Sequence, residues 1–220
     1  MPMDTPIITM TDDTYRYLKD PAEIYALSFE TVRAEANLTR LSEDQRDIAI
    51  RLVHACGMPD IVDDLVFTEN AVAAGRTALR AHAPIFIDAT MVGAGIIDRH
   101  LTENDIICTL NDEGVAEDAK TWGTTRSAAA VDRWRSTLGG AVVAVGNAPT
   151  ALFRLLELIA DGAPKPAVVL GFPVGFVGAA ESKDALAENQ LGLEFITLRG
   201  RRGGSAMASA AVNALAVGLK

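Results

Sequence analysis

The amino-acid sequence predicts one three-layer α/β domain, a parallel-type sheet with helices on both faces and a helical extension at the N-terminus. Three observations predict it. From about residue 62 onward, short β-rich runs alternate with helical segments, as right-handed βαβ units require. The runs AVVAVG (141–146) and AVVLGF (167–172) are apolar on both faces, as strands in the middle of a parallel sheet are. A chain of 220 residues with 49% hydrophobic and 22% charged residues buries roughly 70% of its unfolded surface without a disulfide or metal. No linker, repeat or low-complexity tract divides it. The domain is therefore read as 1–220, with 8–60 helical and 62–218 the α/β core.

The elements follow in order. Asp20, Pro21 and Glu23 form an acidic variant of the capping box and start a helix that reaches about Asn37. Ile24, Ser28 and Val32 stack along it at four-residue spacing, and a hydroxyl in such a stripe ordinarily bonds back to its own helix. Ser42 with Gln45 opens a second helix, and Gly57 closes it. On that helix Ile48, Ala49, Leu52, Val53 and Cys56 form the core arc. His54 falls nearly opposite, beside Asp47 and Ile50. Strands are expected at 62–67, 84–90, 105–110, 141–146, 167–172 and 194–198. Helices are expected near 69–82, 91–99, 125–138, 149–160, 181–190 and 204–218.

Composition excludes some partners. Twenty basic against twenty-nine acidic side chains leave a net charge of −9, the wrong sign for binding a nucleic-acid backbone. A local basic cluster still suits an anionic small molecule. Cys56 and Cys108 fit neither metal-ligand spacing nor a disulfide framework, which suits a reducing cytoplasm. The opening MPMDTPIITMTDDTYRYL lacks the basic region and apolar core of a signal peptide, and no run approaches 18 apolar residues. The expectation is a cytoplasmic protein with no membrane span. GxGxxG after a strand, a Walker loop, GxSxG and HExxH are all missing, which weakens nicotinamide, nucleotide and zinc-hydrolase readings together.

The unusual chemistry lies in the strand-to-helix turns, where ligands of α/β sheets bind. GNAPTALF (146–153) starts a helix at Pro149, GFPVGFVGAAESK (171–183) carries three glycines, and RGRRGGSAMA (199–208) carries three arginines. Helix N-termini and glycine-rich turns receive anions; they are also ordinary sheet connections, and the arginines also read as a solvated surface or subunit contact. Arg126 stands at a helix start, where a cation opposes the helix dipole, which favours a ligand-facing role over a structural ion pair. Asp88 and Thr90 end a strand; Asp88 either meets a ligand or caps the following turn.

Seven blocks together resemble the precorrin-8X methylmutases, the precorrin isomerases of corrin-ring synthesis: PAEIYALSFETVRAEANL, RLVHACGMPDIV, PIFIDATMVGAGI, TRSAAAVD, VGNAPTALFRLLEL, GFPVGFVGAAESK and ITLRGRRGGSAMASAAVNALA. They run in register from about residue 8 to 217. The resemblance implies an intramolecular methyl migration from C-11 to C-12 of precorrin-8X, giving hydrogenobyrinate in cobalamin biosynthesis, with no cofactor and no metal. It also implies a flavodoxin-like fold and a homodimer with active sites at the subunit interface. His54 would be the proton donor. Ser28, Thr90, Arg126, Ser127, Asn147, Lys183, Arg199, Arg201 and Gly203 would line the substrate site. The cobalt-precorrin-8 version of the step, a non-catalytic tetrapyrrole carrier, and a phosphosugar or nucleotide enzyme using the GNAP and GFPVG turns are the alternatives. A polycarboxylate substrate suits three anion-receptive turns in an acidic protein.

Overall fold

The computed structural model describes residues 10–11, 14–15, 17–101 and 103–218. Much of the opening segment on which the leader reading rests lies outside them. The first described elements are a short antiparallel ribbon, β1 (Met10–Thr11) and β2 (Thr14–Tyr15), which lies within the stretch 8–60 expected to be helical, followed by α1 (Pro21–Glu35) and α2 (Glu43–Cys56). A 3₁₀ turn (Pro59–Asp64) leads to β3 (Leu65–Phe67), α3 (Ala71–Arg80), β4 (Ile85–Ile87), α4 (Thr90–Ala94) and β5 (Ile106–Ile107). Then come α5 (Val115–Trp122), α6 (Arg126–Asp132), β6 (Val142–Val145), α7 (Pro149–Ala160), β7 (Val168–Gly171), α8 (Ala179–Ala187), β8 (Phe195–Leu198) and α9 (Ser205–Ala216).

At the start of α1 the Asp20 cap is present without the reciprocal Glu23 bond of a capping box. Asp20 accepts from the N–H groups of Ala22 and Glu23 at 2.8 and 3.0 Å, so α1 starts where its cap dictates. Ser42 and Gln45 make the reciprocal capping-box bonds, and Gly57 ends α2 at φ 69°.

The main sheet has six strands in the order β3-β8-β7-β6-β4-β5. Five of them are parallel; β3 is antiparallel to β8, with Leu65 opposite Leu198. All residues of β6, β7 and β8 are buried. One face is covered by α1, α2, α3 and α9, and the other by α6, α7 and α8. The expected three-layer α/β architecture is present.

Three expected elements differ, and one helix is additional. The stretch 62–67 is a 3₁₀ turn running into an antiparallel edge strand, because Pro59 fixes a helical start and only Leu65–Phe67 reach the sheet. The helix expected at 125–138 stops at Asp132 and continues as turns. The helix expected at 91–99 divides into α4 and a 3₁₀ turn, Asp98–His100. Helix α5 was not expected at all; glycines in left-handed conformation bound it at both ends, Gly114 (φ 83°) and Gly123 (φ 65°).

The direction of β3 positions the site. Because β3 runs against β8, the turn feeding it lies at the carboxyl ends of the parallel strands. The C-terminal end of α2 therefore arrives at the same edge as the loops that follow β4, β6, β7 and β8.

Candidate active site

Helices α1 and α2 pack side by side, and this brings Ser28 onto His54. The hydroxyl Oγ of Ser28 lies 2.7 Å from Nδ1 of His54. Ser28 does not bond back to its own helix as such a hydroxyl ordinarily does; its near neighbour Thr31 does so, donating to the carbonyl of Leu27 at 2.8 Å. The imidazole is further held among rings, with Tyr25 and Phe29 centroids 5.2 and 5.3 Å from its own. His54 is exposed, as its place off the core arc requires. Ile50, expected beside it, is instead 3% exposed and part of the main core.

His54 lines two cavities. The larger, about 570 Å³, is walled by Ser28, Thr31, Val32, Val53, Glu35 and Pro59 among others, and its surface is mostly apolar. The smaller, about 220 Å³, adds Tyr25, Arg51, Ile97, Ala210 and Asn213. One nitrogen of His54 is occupied by Ser28, which leaves Nε2 as the atom available to a ligand. Neither wall includes Thr90, Asn147 or the arginine-rich loop.

At the carboxyl edge of the sheet, Asp88 resolves the reading of the GNAP turn. Its carboxylate accepts from the N–H groups of Gly146, Asn147 and Ala148 at 2.8, 2.9 and 2.6 Å. The donors expected to receive a ligand anion are thus taken by an internal one. Asp88 is 3% exposed, and burial pushes its carboxyl above the usual range, opposed by these three bonds. The side chains of Thr90 and Asn147 remain exposed beside this clasp.

Two arginines of the basic loop are committed to structure. Arg199 pairs with Asp184 at 2.6 Å, and Arg202 forks between Asp60 at 2.6 Å and Asp64 at 2.8 Å. Arg201 makes no ion pair among the described residues and lies over the Phe176 ring, 5.3 Å from its centroid. Lys183, placed by the resemblance in a ligand-lining block, is 0% exposed and donates to the carbonyl of Arg202 at 2.5 Å. Burial, aided by the Arg202 charge, lowers its ammonium to about 8. It holds the loop from beneath and does not face solvent. Gly203 is needed where it stands, since a Cβ there would sit 2.4 Å from the carbonyl oxygen of Phe172.

Arg126, read as ligand-facing, is exposed and donates to the Leu110 carbonyl at 3.2 Å and to Asn111 Oδ1 at 2.6 Å; Ser127 is half-buried one residue on. Among the described residues no group of three or more His, Cys, Asp or Glu side chains could hold a metal ion, and no helix is long and apolar enough to cross a membrane. Sequence reasoning missed the wall residues Arg51, Glu35 and Asn213. Arg51 sits one helical turn before His54, a spacing that could have flagged it.

Comparison with known proteins agrees with this architecture. The family model for precorrin-8X methylmutase matches residues 23–217. The precorrin-8X methylmutase of Pseudomonas aeruginosa is 57% identical over 201 residues, covering 91% of this chain and 97% of that protein. The cobalt-precorrin-8 methylmutase of Salmonella typhimurium is 38% identical, covering 90% and 96%. The crystal structure of precorrin-8X methylmutase from Thermus thermophilus superposes with a TM-score of 0.80 at 38% identity, covering 89% of this chain and 94% of that one. On sequence and fold alike, the chain belongs to the precorrin-8X methylmutase family and is a methylmutase, an isomerase that transfers a methyl group within one molecule.

Proposed function

We propose that the chain converts metal-free precorrin-8X to hydrogenobyrinate in cobalamin biosynthesis, with His54 as the proton donor. The observation that carries this reading is the Ser28–His54 pair in the wall of the apolar cavity. A proton delivered to the conjugated ring makes the acceptor carbon electron-poor. The methyl group then moves from C-11 to C-12 with its bonding pair. Loss of a proton from the ring restores neutrality, so substrate and product are isomers and no oxidant or reductant is consumed. A positioned acid contributes ~10²–10⁴ in rate. Ser28 suits the task because a hydroxyl both donates and accepts, so it stays bonded to Nδ1 in either protonation state of the ring.

Identity favours the metal-free substrate. Relatives named for precorrin-8X are 57% and 55% identical to the chain, against 38% for the Salmonella protein named for the cobalt form. Thr90, Asn147, Arg126, Ser127, Arg201 and Gly203 serve the substrate from the carboxyl edge, and Lys183 and Arg199 serve it by holding the arginine-rich loop. The loop after β7 exposes Phe176 at 87% and Val177 at 89%. An apolar tip of this kind supports a homodimer in which a second copy covers it and completes the substrate site.

The test is incubation of the purified protein with metal-free and cobalt-containing precorrin-8, followed by absorption spectroscopy. Faster turnover of the metal-free substrate is expected. Binding without turnover of either would make the protein a carrier.

A further inference from the structure

Helix α4 ends in a turn that a side chain of α9 holds in place. The N–H groups of Gly95 and Ile96 close on the carbonyls of Val92 and Gly93 at 3.2 and 3.0 Å. The next N–H, that of Ile97, leaves the helix and donates to Oδ1 of Asn213 at 2.8 Å. Nδ2 of the same amide donates to the Gly95 carbonyl at 2.8 Å. One side chain thus grips the backbone on both sides of Ile96, across 116 and 118 positions of sequence. The grip needs a group that donates and accepts at once, which a carboxylate of the same length does not. The turn also lies close against α9, since a Cβ at Gly95 would sit 2.3 Å from Ser209 Oγ.

What the grip places is Ile97. Its side chain is 37% exposed and stands in the wall of the cleft of about 220 Å³ that His54 lines, together with Ala210 and Asn213 itself. Ala210 and Asn213 are three residues apart and so share one face of α9. That helix also packs on α2, which carries His54. The imidazole and the apolar side chain that shares its cleft are therefore registered to the same helix, His54 by packing and Ile97 through Asn213. The fold itself has little need of the clamp. Asn213 is half-buried beside an open cleft, where water can take over both backbone groups. Its two bonds fix a position more than they add stability.

We infer that Asn213 is a positioning residue for the methyl transfer: its amide fixes the turn after α4 so that Ile97 closes the cleft beside His54 and sets how closely the substrate ring approaches the imidazole. The inference rests on the tetrapyrrole reading above and adds to it a residue that acts through another. Proton delivery to one place on a ring needs a fixed wall behind that ring, and a displacement of about 1 Å between reacting groups can cost about 10²-fold in rate.

The test is steady-state turnover of precorrin-8X by the full-length protein, with thermal melting alongside. Asn213→Ala should lower kcat about tenfold while KM changes by no more than about threefold, and the melting midpoint should stay nearly unchanged. Ile97→Ala should lower kcat to a similar extent. The double variant should be no slower than the worse single one, because residues that act in series do not add. Ser209→Ala, whose hydroxyl bonds within α9, should turn over as the wild type does. Rate losses that multiply in the double variant, or a wild-type kcat in Asn213→Ala, would overturn the inference and leave the tetrapyrrole reading standing. Amide hydrogen exchange reads the grip without turnover: the Ile97 N–H should exchange about tenfold faster in Asn213→Ala, and an unchanged rate would equally overturn the inference. Should Asn213→Ala fail to fold, Asn213→Asp, which keeps the acceptor for Ile97 and loses the donor to Gly95, decides by the same double-variant cycle. A wild type that turns over neither the metal-free nor the cobalt substrate would overturn the tetrapyrrole reading and the inference together.

Discussion

Ser28 Oγ and His54 Nδ1 lie 2.7 Å apart across 26 residues of sequence, so the packing of α1 on α2 sets which ring nitrogen of the histidine is left for chemistry. The contact makes the position of the imidazole a property of two helices rather than of one side chain.

Removing that hydroxyl should therefore cost rate more than stability. Ser28→Ala should lower kcat about tenfold, while the lost hydrogen bond costs about 0.5–1.5 kcal/mol of unfolding free energy. Ser28→Thr, which keeps a hydroxyl, should recover much of the rate. Steady-state kinetics with thermal unfolding decides this, and an alanine variant with wild-type kcat would remove the orienting role.

Asp88 should be a stability residue. Asp88→Ala leaves the N–H groups of Gly146, Asn147 and Ala148 without their acceptor, and each buried donor so orphaned costs about 1–3 kcal/mol. A urea titration should show a loss above about 3 kcal/mol, with Asp88→Asn intermediate because its amide offers a single acceptor oxygen. A shift under about 1 kcal/mol would mean that water replaces the carboxylate.

Lys183 should write itself into the pH dependence of stability. Its folded pKa, about 8, lies below its ordinary 10.5. Between these values the unfolded chain binds more protons, so unfolding free energy rises with pH. The contribution is fully present above about pH 10.5 and is lost as pH falls to about 8, at most about 3 kcal/mol in size. Lys183→Met should lack this rise in a difference curve of denaturant midpoints. Parallel curves for the two proteins would place the lysine in contact with water.

The arginine-rich loop should divide by function. Arg201→Ala should weaken tetrapyrrole binding roughly tenfold, the worth of one charge-assisted hydrogen bond, with thermal stability unchanged. Arg202→Ala should instead lower stability, because it releases Asp60 and Asp64. Titration and melting of both variants test this; equal effects on affinity would show the loop acting as a diffuse positive surface.

What was legible in the sequence was what neighbouring residues decide. Ser42 with Gln45 and Gly57 bounded α2, and Pro149 with the apolar spacing behind it bounded α7 at Pro149–Ala160. The placement of His54 off the core arc followed from the same periodicity. Contacts across long stretches of chain left no local mark. Asp88 reaches residues 58 to 60 positions away, and Arg202 reaches acids 138 and 142 positions away, so the sequence left the clasp and the braced loop undecided between anion sites and structural roles. The direction of β3 was hidden for the same reason, since strand polarity is set by the partner β8. Lys183 sits in a short helix of mixed character whose buried face is set by packing on α7 and β8, contacts that the local pattern does not show.

His54→Ala tests the central claim most directly, because it separates the acid from the binding site. The side chain is exposed, so the variant should stay within about 0.5–1 kcal/mol of wild-type stability. Hydrogenobyrinate should still bind, and single-turnover conversion of precorrin-8X should slow by ~10²–10⁴. His82→Asn serves as the control, since His82 holds a left-handed φ of 57° that asparagine tolerates, and it should turn over normally. A stable His54→Ala variant that converts substrate at the wild-type rate would contradict the account and move the proton donor elsewhere.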